Sequence, residues 1–471
     1  MSIKLSRASL DKAQKERIRK DLTLIPESKQ FVPKNIQMFQ ASKEPIYFYL
    51  VENDDVFLPF NYGVKFVDSF PNDNIKRTKH EFGFIGKLRP FQIEIVNEAI
   101  EHLNTSRTTT LSTFPGSGKT IMGAYLATNI WKDKQEMILI MHPRSILNES
   151  WKTTFQEFTN AKVWVVPDKQ IDPIKDYRKT YPNSNAPDVI ISVDQSLDKI
   201  PQKWLDNIGV LIIDEAHMLC TQSKVSSLLK VQPKYIIAET ATLEREQDGM
   251  EVMIHHMCGE HSIYRSNKKS FTVFKLNTGI KPETVKTSRG IDWNHLVNGL
   301  CEDESRNKLI VSIAKFALTK GWKIMILTVR KSHIDTLLEM IRNETITIKS
   351  EEDEEGIFTI STRNITADSM MGNKKNYQDS DVLLASVSKA GVGFDEQMSC
   401  STFGGVRSNF LIYCASSKKE SVINQHIGRI MRSDEPIVVH LVDDNPSVKR
   451  HWNVAKKFYI SMGAEIKEWS A

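Results

Sequence analysis

Cysteine is scarce and scattered. The 471 residues contain five, Cys220, Cys258, Cys301, Cys400 and Cys414, with no Cys-x-x-Cys pair among them. That argues against a disulfide framework or a cysteine-built zinc site, and fits a reducing compartment. No apolar run reaches about 18 residues, so no membrane-spanning helix is expected. An excess of one charge is also missing: 63 Lys and Arg face 58 Asp and Glu, a net charge of +5, which permits an anionic partner without requiring one. No internal repeat is seen, which excludes a solenoid. The opening MSIKLSRASLDKAQKERIRK has cations but no apolar stretch behind them, so no signal peptide is expected. What is there is ordinary globular usage, 40% apolar and 26% charged, in a chain long enough for about three domains.

Residues 1–30 read as a solvated amphipathic helix whose cations could also meet nucleic acid. IYFYLV, ENDD and VFLPF, in residues 45–70, predict a β-hairpin with a polar turn. Residues 1–80 are therefore expected as a small N-terminal accessory module. Beyond them short apolar runs recur: MILIM (137–141), VWVV (163–166), VIISV (189–193), VLII (210–213) and YIIA (235–238), then IMIL (324–327), VLLAS (382–386), FLIYC (410–414) and IVVHLV (437–442). Continuous apolar strands separated by helical or loop segments predict parallel sheets covered on both faces. The expected class is α/β, with one domain over 81–270, a linker over 271–300 and a second domain over 301–471. The run SEEDEEG (350–356) lies between two alternating segments and reads as the solvated tip of an inserted hairpin spanning 345–361.

TFPGSGKT (113–120) is the strongest local signal. A glycine-rich turn can wrap phosphates with its backbone N–H groups where side chains leave room, which suits Pro115, Gly116, Ser117 and Gly118. Lys119 would reach the β- and γ-phosphates, and the Thr120 hydroxyl would hold Mg²⁺. The following helix points its positive end at the same place. The strict pattern opens with glycine, whereas this chain has Thr113. VLIIDEAH (210–217) ends an apolar strand in adjacent carboxylates: Asp214 would serve the metal, and Glu215 would orient and deprotonate water. TAT (240–242) follows the next strand, and the hydroxyls of Thr240 and Thr242 would hydrogen-bond the acidic pair and report the nucleotide state, with His217 as a further coupling residue. In KLRPFQ (87–92), Gln92 suits a two-point amide contact with adenine, or simply opens a helix facing solvent.

In the second domain, QHIGRIMR (425–432) spaces Gln425, Arg429 and Arg432 as on one helix face. Arginines aimed at a γ-phosphate stabilise transition-state charge, although a basic helix face looks the same. In SVSKAGVGFDE (386–396), Gly391 and Gly393 permit a tight turn, and Asp395 would contact either a ribose or the arginine helix. These motifs lie in the domain without the phosphate loop, which fits a nucleotide bound in a cleft between domains. His255, His256, Cys258 and His261 form a compact group of zinc-type ligands, but no second ligand pair lies nearby.

The ordered set KLRPFQ, TFPGSGKT, DEAH, TAT, SKAGVGFD and QHIGRIMR resembles the superfamily 2 helicases and translocases, over roughly residues 85–460. The resemblance implies two RecA-like parallel-sheet domains in tandem, ATP and Mg²⁺ as cofactors, and a nucleic-acid partner, DNA more than RNA. It implies that Pro143, Arg144 and Gln195 in the first domain, and Arg330 and Ser388 in the second, grip the nucleic-acid backbone. A narrower resemblance exists: TATLEREQDGM (240–250) is similar to the excision-repair helicases of the xeroderma B type, with Gln247 where that family carries an acid. The DGM…IHHMCG continuation and ESRNKLI (304–310) resemble the DEAH helicases of large cytoplasmic DNA viruses, whose poxvirus member releases transcripts. The implied function is ATP-dependent movement on, or unwinding of, DNA or an RNA–DNA hybrid in viral transcription, DNA repair or recombination, with transcription or repair machinery as further partners. An ATP-gated clamp without strand separation is the alternative. The expected location is cytoplasmic, a viral replication site or virion included, with the nucleus left open.

Overall fold

A computed structural model describes residues 1–24, 45–114, 116–131, 134–219, 224–240, 251–265, 269–288, 290–349, 360–372, 374, 376–391 and 394–469. The chain forms two compact units: residues 1–113 with 117–265, and residues 266–471 with 114–116.

The first unit is built on seven parallel strands in the order Ser262–Arg265, Thr108–Thr113, Tyr235–Glu239, Ile208–Asp214, Met137–His142, Val189–Val193 and Val163–Val165. The five apolar runs expected in this part of the chain are all present. Ile208–Asp214 is buried at every position, and each buried aliphatic side chain there contributes about 1.5–3 kcal/mol. Two strands have no apolar run to reveal them. Thr108–Thr113, TTTLST, is wholly buried although five of its six residues carry hydroxyls. β-Branched threonine fits a pleated strand without being apolar. Two of its hydroxyls find partners locally: Thr109 Oγ1 lies 3.2 Å from His102 Nδ1, and Thr113 Oγ1 2.7 Å from Ser117 Oγ.

The N-terminal segment differs from its expectation in two ways. It opens with a strand, Ser2–Ser6, and its helix is confined to Lys12–Asp21, capped by the Asp11 carboxylate. The expected hairpin is there, as Leu50–Glu52 against Asp55–Pro59, with Ser2–Ser6 paired on the far side of Asp55–Pro59. The segment also shares one apolar core with the seven-stranded sheet, including Ile3, Leu58, Phe60, Met137 and Ile236. Asn72 Nδ2 donates to Ser2 O at 2.9 Å and Pro233 O at 2.8 Å, and Ser2 Oγ donates to Leu229 O at 2.6 Å. Residues 1–80 are thus an integral layer of the first unit.

The second unit has seven parallel strands in the order Ala367–Met370, Val382–Ser386, Ile324–Thr328, Phe410–Tyr413, Ile437–Val442, Phe271–Asn277 and Ala464–Glu468. The expected linker over 271–300 is corrected here. Phe271–Asn277 is an interior strand, and Trp293–Glu302 is a helix started by the Asp292 carboxylate. FTVFKLN breaks its apolar residues with Thr272 and Lys275 between polar flanks, which hides a strand of a parallel sheet. Thr345–Lys349 and Ile360–Asn364 pair antiparallel, as the inserted hairpin requires; its acidic tip lies outside the described residues. A buried ion pair fixes one end of the sheet: Arg306 Nε donates to Asp443 Oδ1 at 2.9 Å, and Arg306 Nη2 to Asp443 Oδ2 at 3.2 Å. Among the described residues no helix is long and apolar enough to cross a membrane.

Candidate nucleotide site

In a parallel sheet all carboxyl ends lie on one edge, and that edge binds ligands in α/β folds. In the first unit, Thr113, Asp214, Glu239, His142 and Val193 each end a strand there. The turn after Thr113 holds Gly116 at φ 86° and Gly118 at φ 83°, conformations open to glycine and costly for other residues. Gly118 caps the helix Lys119–Asn129. A Cβ on Gly118 would lie 2.4 Å from Gln92 Nε2.

Gln92 is buried rather than solvent-facing. Its Nε2 donates to Ser117 O at 2.9 Å, and its Oε1 accepts from Arg89 N at 2.9 Å. The amide expected to read adenine is here turned onto the phosphate loop, which it tethers to the helix Pro90–Ser106. Lys119 Nζ donates to Thr113 O at 3.0 Å, so the ammonium lies over the loop. Thr120 is half-buried in the first turn of the same helix. Pro115 and Thr242 lie outside the described residues.

Two strands away, Asp214 is buried and accepts a hydrogen bond from Trp151 Nε1 at 3.0 Å. Burial, and then the Glu215 carboxylate, push its pKa up to about 6, against the pull of Trp151 and the Lys119 ammonium. Glu215 adopts φ 51°, a left-handed backbone that costs on the order of 1–3 kcal/mol in a non-glycine residue and is concentrated at functional sites. His217 Nδ1 lies 3.5 Å from Glu215 Oε2 and 2.9 Å from Thr240 Oγ1. The acidic pair, His217 and the first threonine of TAT are therefore one connected group.

Sequence reasoning passed over two residues of this group. Trp151, on the helix Leu147–Phe158, reads as core packing until its indole N–H is seen to hold Asp214. Glu239 sits immediately before TAT, at the end of the apolar strand Tyr235–Glu239. It is fully buried, and neither carboxyl oxygen has a hydrogen-bond partner among the described residues. Burial, then Asp214, push its carboxyl well above the ordinary range, while Lys119 pulls it down. An acid closing an apolar run was the available signal.

The loops after the next strands carry the residues expected to meet nucleic acid. Pro143 and Arg144 follow Met137–His142 and are half-buried. Gln195 is exposed in the 3-10 turn Asp194–Lys199, which Lys224 anchors through Asp194 at 2.7 Å.

In the second unit the arginines are not on a helix face. The helix Glu420–Ile427 stops at Gly428, and Arg429 to Ser433 continue in tighter turns, Ile430 N bonding Ile427 O at 3.1 Å and Ser433 N bonding Ile430 O at 3.0 Å. Gly428 offers little to sustain an α-helix. Arg429 Nη1 donates to Phe394 O at 2.5 Å, and Arg432 pairs with Asp395. Of the two expected contacts of Asp395, the structure shows the one with the arginine segment; Asp395 also caps Glu396–Ser399 and lies 3.4 Å from Arg407. Gln425 is half-buried on the helix. Arg330 is held by Asn298 Oδ1 at 2.8 Å and Asn294 Oδ1 at 2.9 Å, and Ser388 Oγ lies 3.2 Å from Ser386 Oγ. Gly393 lies outside the described residues.

The histidine group around residue 256 is dispersed: His256 packs against Tyr62 at 5.3 Å and His261 stacks on His102 at 4.8 Å.

Two RecA-like parallel-sheet units, one carrying a phosphate loop and acidic pair and the other an arginine segment, define an ATP-hydrolysing enzyme of the motor class. Residues 85–245 match the family described as the type III restriction enzyme, res subunit. Along most of its length the chain is similar to viral proteins named as helicases. It is 26% identical to "Putative helicase 161L" of Invertebrate iridescent virus 6 over 88% of this chain and 90% of that one. It is 25% identical to "Putative helicase 055L" of Frog virus 3 over 89% and 88%, and 23% identical to "Putative ATP-dependent RNA helicase L396" of Acanthamoeba polyphaga mimivirus over 96% and 82%. Among solved structures, the DUF1998 helicase MrfA bound to DNA and AMPPNP shares the fold, with a TM-score of 0.51 and 13% identity over 81% of this chain and 52% of that one.

Proposed function

We propose that this enzyme uses Mg²⁺ and ATP to translocate on nucleic acid, DNA in preference to RNA, separating strands as it moves, in viral transcription or in DNA repair or recombination. The observation that carries the reading is the connected group in the first unit. Lys119 lies over the phosphate loop, Asp214 is braced by Trp151, and Glu215 is linked through His217 to Thr240.

The residues fit the cofactors. Glycines open the loop for phosphates, and buried Asp214 with the Thr120 hydroxyl offers hard oxygen donors to a divalent cation. Bound Mg²⁺ would neutralise phosphate charge. Lys119 would leave Thr113 O to meet the β- and γ-phosphates. Glu215, held in its left-handed conformation, would orient the attacking water and take its proton. Arg429 and Arg432 are the cations assigned to transition-state charge. The contact from His217 to Thr240 would carry nucleotide state to the loops bearing Pro143, Arg144 and Gln195, which would regrip the sugar-phosphate backbone at each cycle together with Arg330 and Ser388. Gripping backbone rather than base edges gives little sequence preference.

The test is strand displacement on fluorescent DNA duplexes, RNA duplexes and RNA–DNA hybrids, with a streptavidin block to report translocation without unwinding. ATP-dependent displacement of DNA or hybrid duplexes supports the proposal. Binding that follows ATP with neither displacement nor block removal selects the ATP-gated clamp.

A further inference from the structure

Glu239 is unusual for a carboxyl in this position. It is 0% exposed, and both of its oxygens lack a partner among the described residues. An unsatisfied buried polar group costs about 1–3 kcal/mol and calls for an explanation. Its surroundings supply one. Glu239 stands in register with Asp214 on the adjacent parallel strand, so the two side chains leave the same face of the sheet. Above them runs the helix Lys119–Asn129. Gly123 is three residues after Thr120, hence on the same helical face, and a Cβ there would lie 2.3 Å from Glu239 Oε1. Glycine at 123 thus leaves the space that the carboxyl fills. Lys119 and Asp214 are close enough to act on Glu239 electrostatically. The carboxyl therefore shares a sheet face with one group assigned to the metal, Asp214, and a helix face with the other, Thr120.

We infer that Glu239 is a positioning residue of the nucleotide-bound cation, its carboxylate accepting hydrogen bonds from metal-bound water while Asp214 and Thr120 face the ion itself. Among the described residues no three carboxylate or imidazole groups converge as a direct metal cage, and the two unpartnered oxygens of Glu239 suit the O–H donors of water. The arriving cation supplies the donors that Glu239 lacks. Groups that orient a metal's ligands or its water typically change metal affinity by an order of magnitude or more when removed. The inference rests on the reading of this edge as an ATP site.

Mn²⁺ affinity in the presence of saturating ADP, followed by electron paramagnetic resonance, tests it on the full chain. Glu239→Gln keeps shape and removes the charge; Glu239→Asp keeps the charge and withdraws it by one methylene. The expected result is Mn²⁺ affinity about 10-fold or more weaker in Glu239→Gln and intermediate in Glu239→Asp, with metal-free ADP affinity within about two-fold of wild type. Unchanged Mn²⁺ affinity in a folded Glu239→Gln would overturn the inference. So would equal losses of metal-free and metal-loaded ADP, which mark a structural role. If Glu239→Gln does not fold, wild-type Mn²⁺ affinity in Glu239→Asp overturns it. Wild-type protein that binds no Mn²⁺ with ADP would remove the ATP-site reading itself and the inference with it, an outcome distinct from wild-type binding that the variants leave unaltered.

Discussion

The indole N–H of Trp151 donates to Oδ2 of Asp214 at 3.0 Å, with both side chains buried. Through this bond the helix Leu147–Phe158 fixes the carboxylate assigned to the metal. A hydrogen bond to a charged group contributes about 1.5–3 kcal/mol. Trp151→Phe keeps the aromatic bulk and deletes the donor. It is expected to raise the Mg²⁺ concentration needed for half-maximal ATP hydrolysis by about 10-fold or more, with a smaller change in the affinity for metal-free nucleotide. A magnesium titration of turnover measures it; an unchanged midpoint would show that the bond does not position Asp214.

Arg432 is paired with Asp395, and burial pulls its pKa below the usual guanidinium value. Placing an arginine on the transition state rather than on bound substrate predicts a loss in kcat, not KM. Arg432→Ala is expected to lower kcat by about 10³-fold or more with little change in nucleotide affinity. Steady-state ATPase assays beside equilibrium binding of a fluorescent nucleotide separate the two quantities.

Much of the architecture is readable from residue order because its interior strands are continuous apolar runs, such as VLII and IVVHLV. The strands that escaped are those whose burial does not need apolar side chains or whose flanks are polar. Thr108–Thr113 is built of hydroxyl residues, two of which bond locally, and Phe271–Asn277 mixes apolar with polar residues like a half-exposed strand while lying inside the sheet. The phosphate loop and acidic pair are legible because glycine positions and adjacent carboxylates leave a local pattern. Trp151 leaves none and Glu239 only an acid closing an apolar run, since their roles depend on what an adjacent helix and strand bring to them. The helix expected through Arg432 failed at Gly428, where tighter turns take over.

Acid is expected to destabilise the second unit. Burial holds His333 near pKa 3, His426 near 4 and His440 near 3. In the unfolded chain these imidazoles take up protons near pH 6.5, whereas the folded unit resists them down to 3–4. Between those limits the unfolded state binds more protons, so stability is full above pH 6.5 and falls as pH drops. Each histidine contributes a slope of up to about 1.4 kcal/mol per pH unit. Denaturant melts between pH 7 and 4.5 measure it; a flat profile would mean that the three imidazoles are not held neutral.

Backbone gripping predicts a binding affinity that falls steeply with salt and hardly changes with base sequence. Each phosphate neutralised gives a slope of about −0.9 in log affinity against log salt on duplex DNA and about −0.7 on a single strand. Arg144→Ala and Arg330→Ala are each expected to reduce that slope by about one contact's worth, read by fluorescence anisotropy on two oligonucleotides of unrelated sequence.

Nucleic acid is expected to govern ATP turnover. This is tested most directly by measuring ATP hydrolysis with and without single-stranded DNA, duplex DNA and RNA, in wild type, Lys119→Ala and Glu215→Gln. Turnover is expected to be stimulated by one polymer above the others, and lost by about 100-fold or more in both variants. Turnover that is equal with every polymer and with none would contradict that expectation.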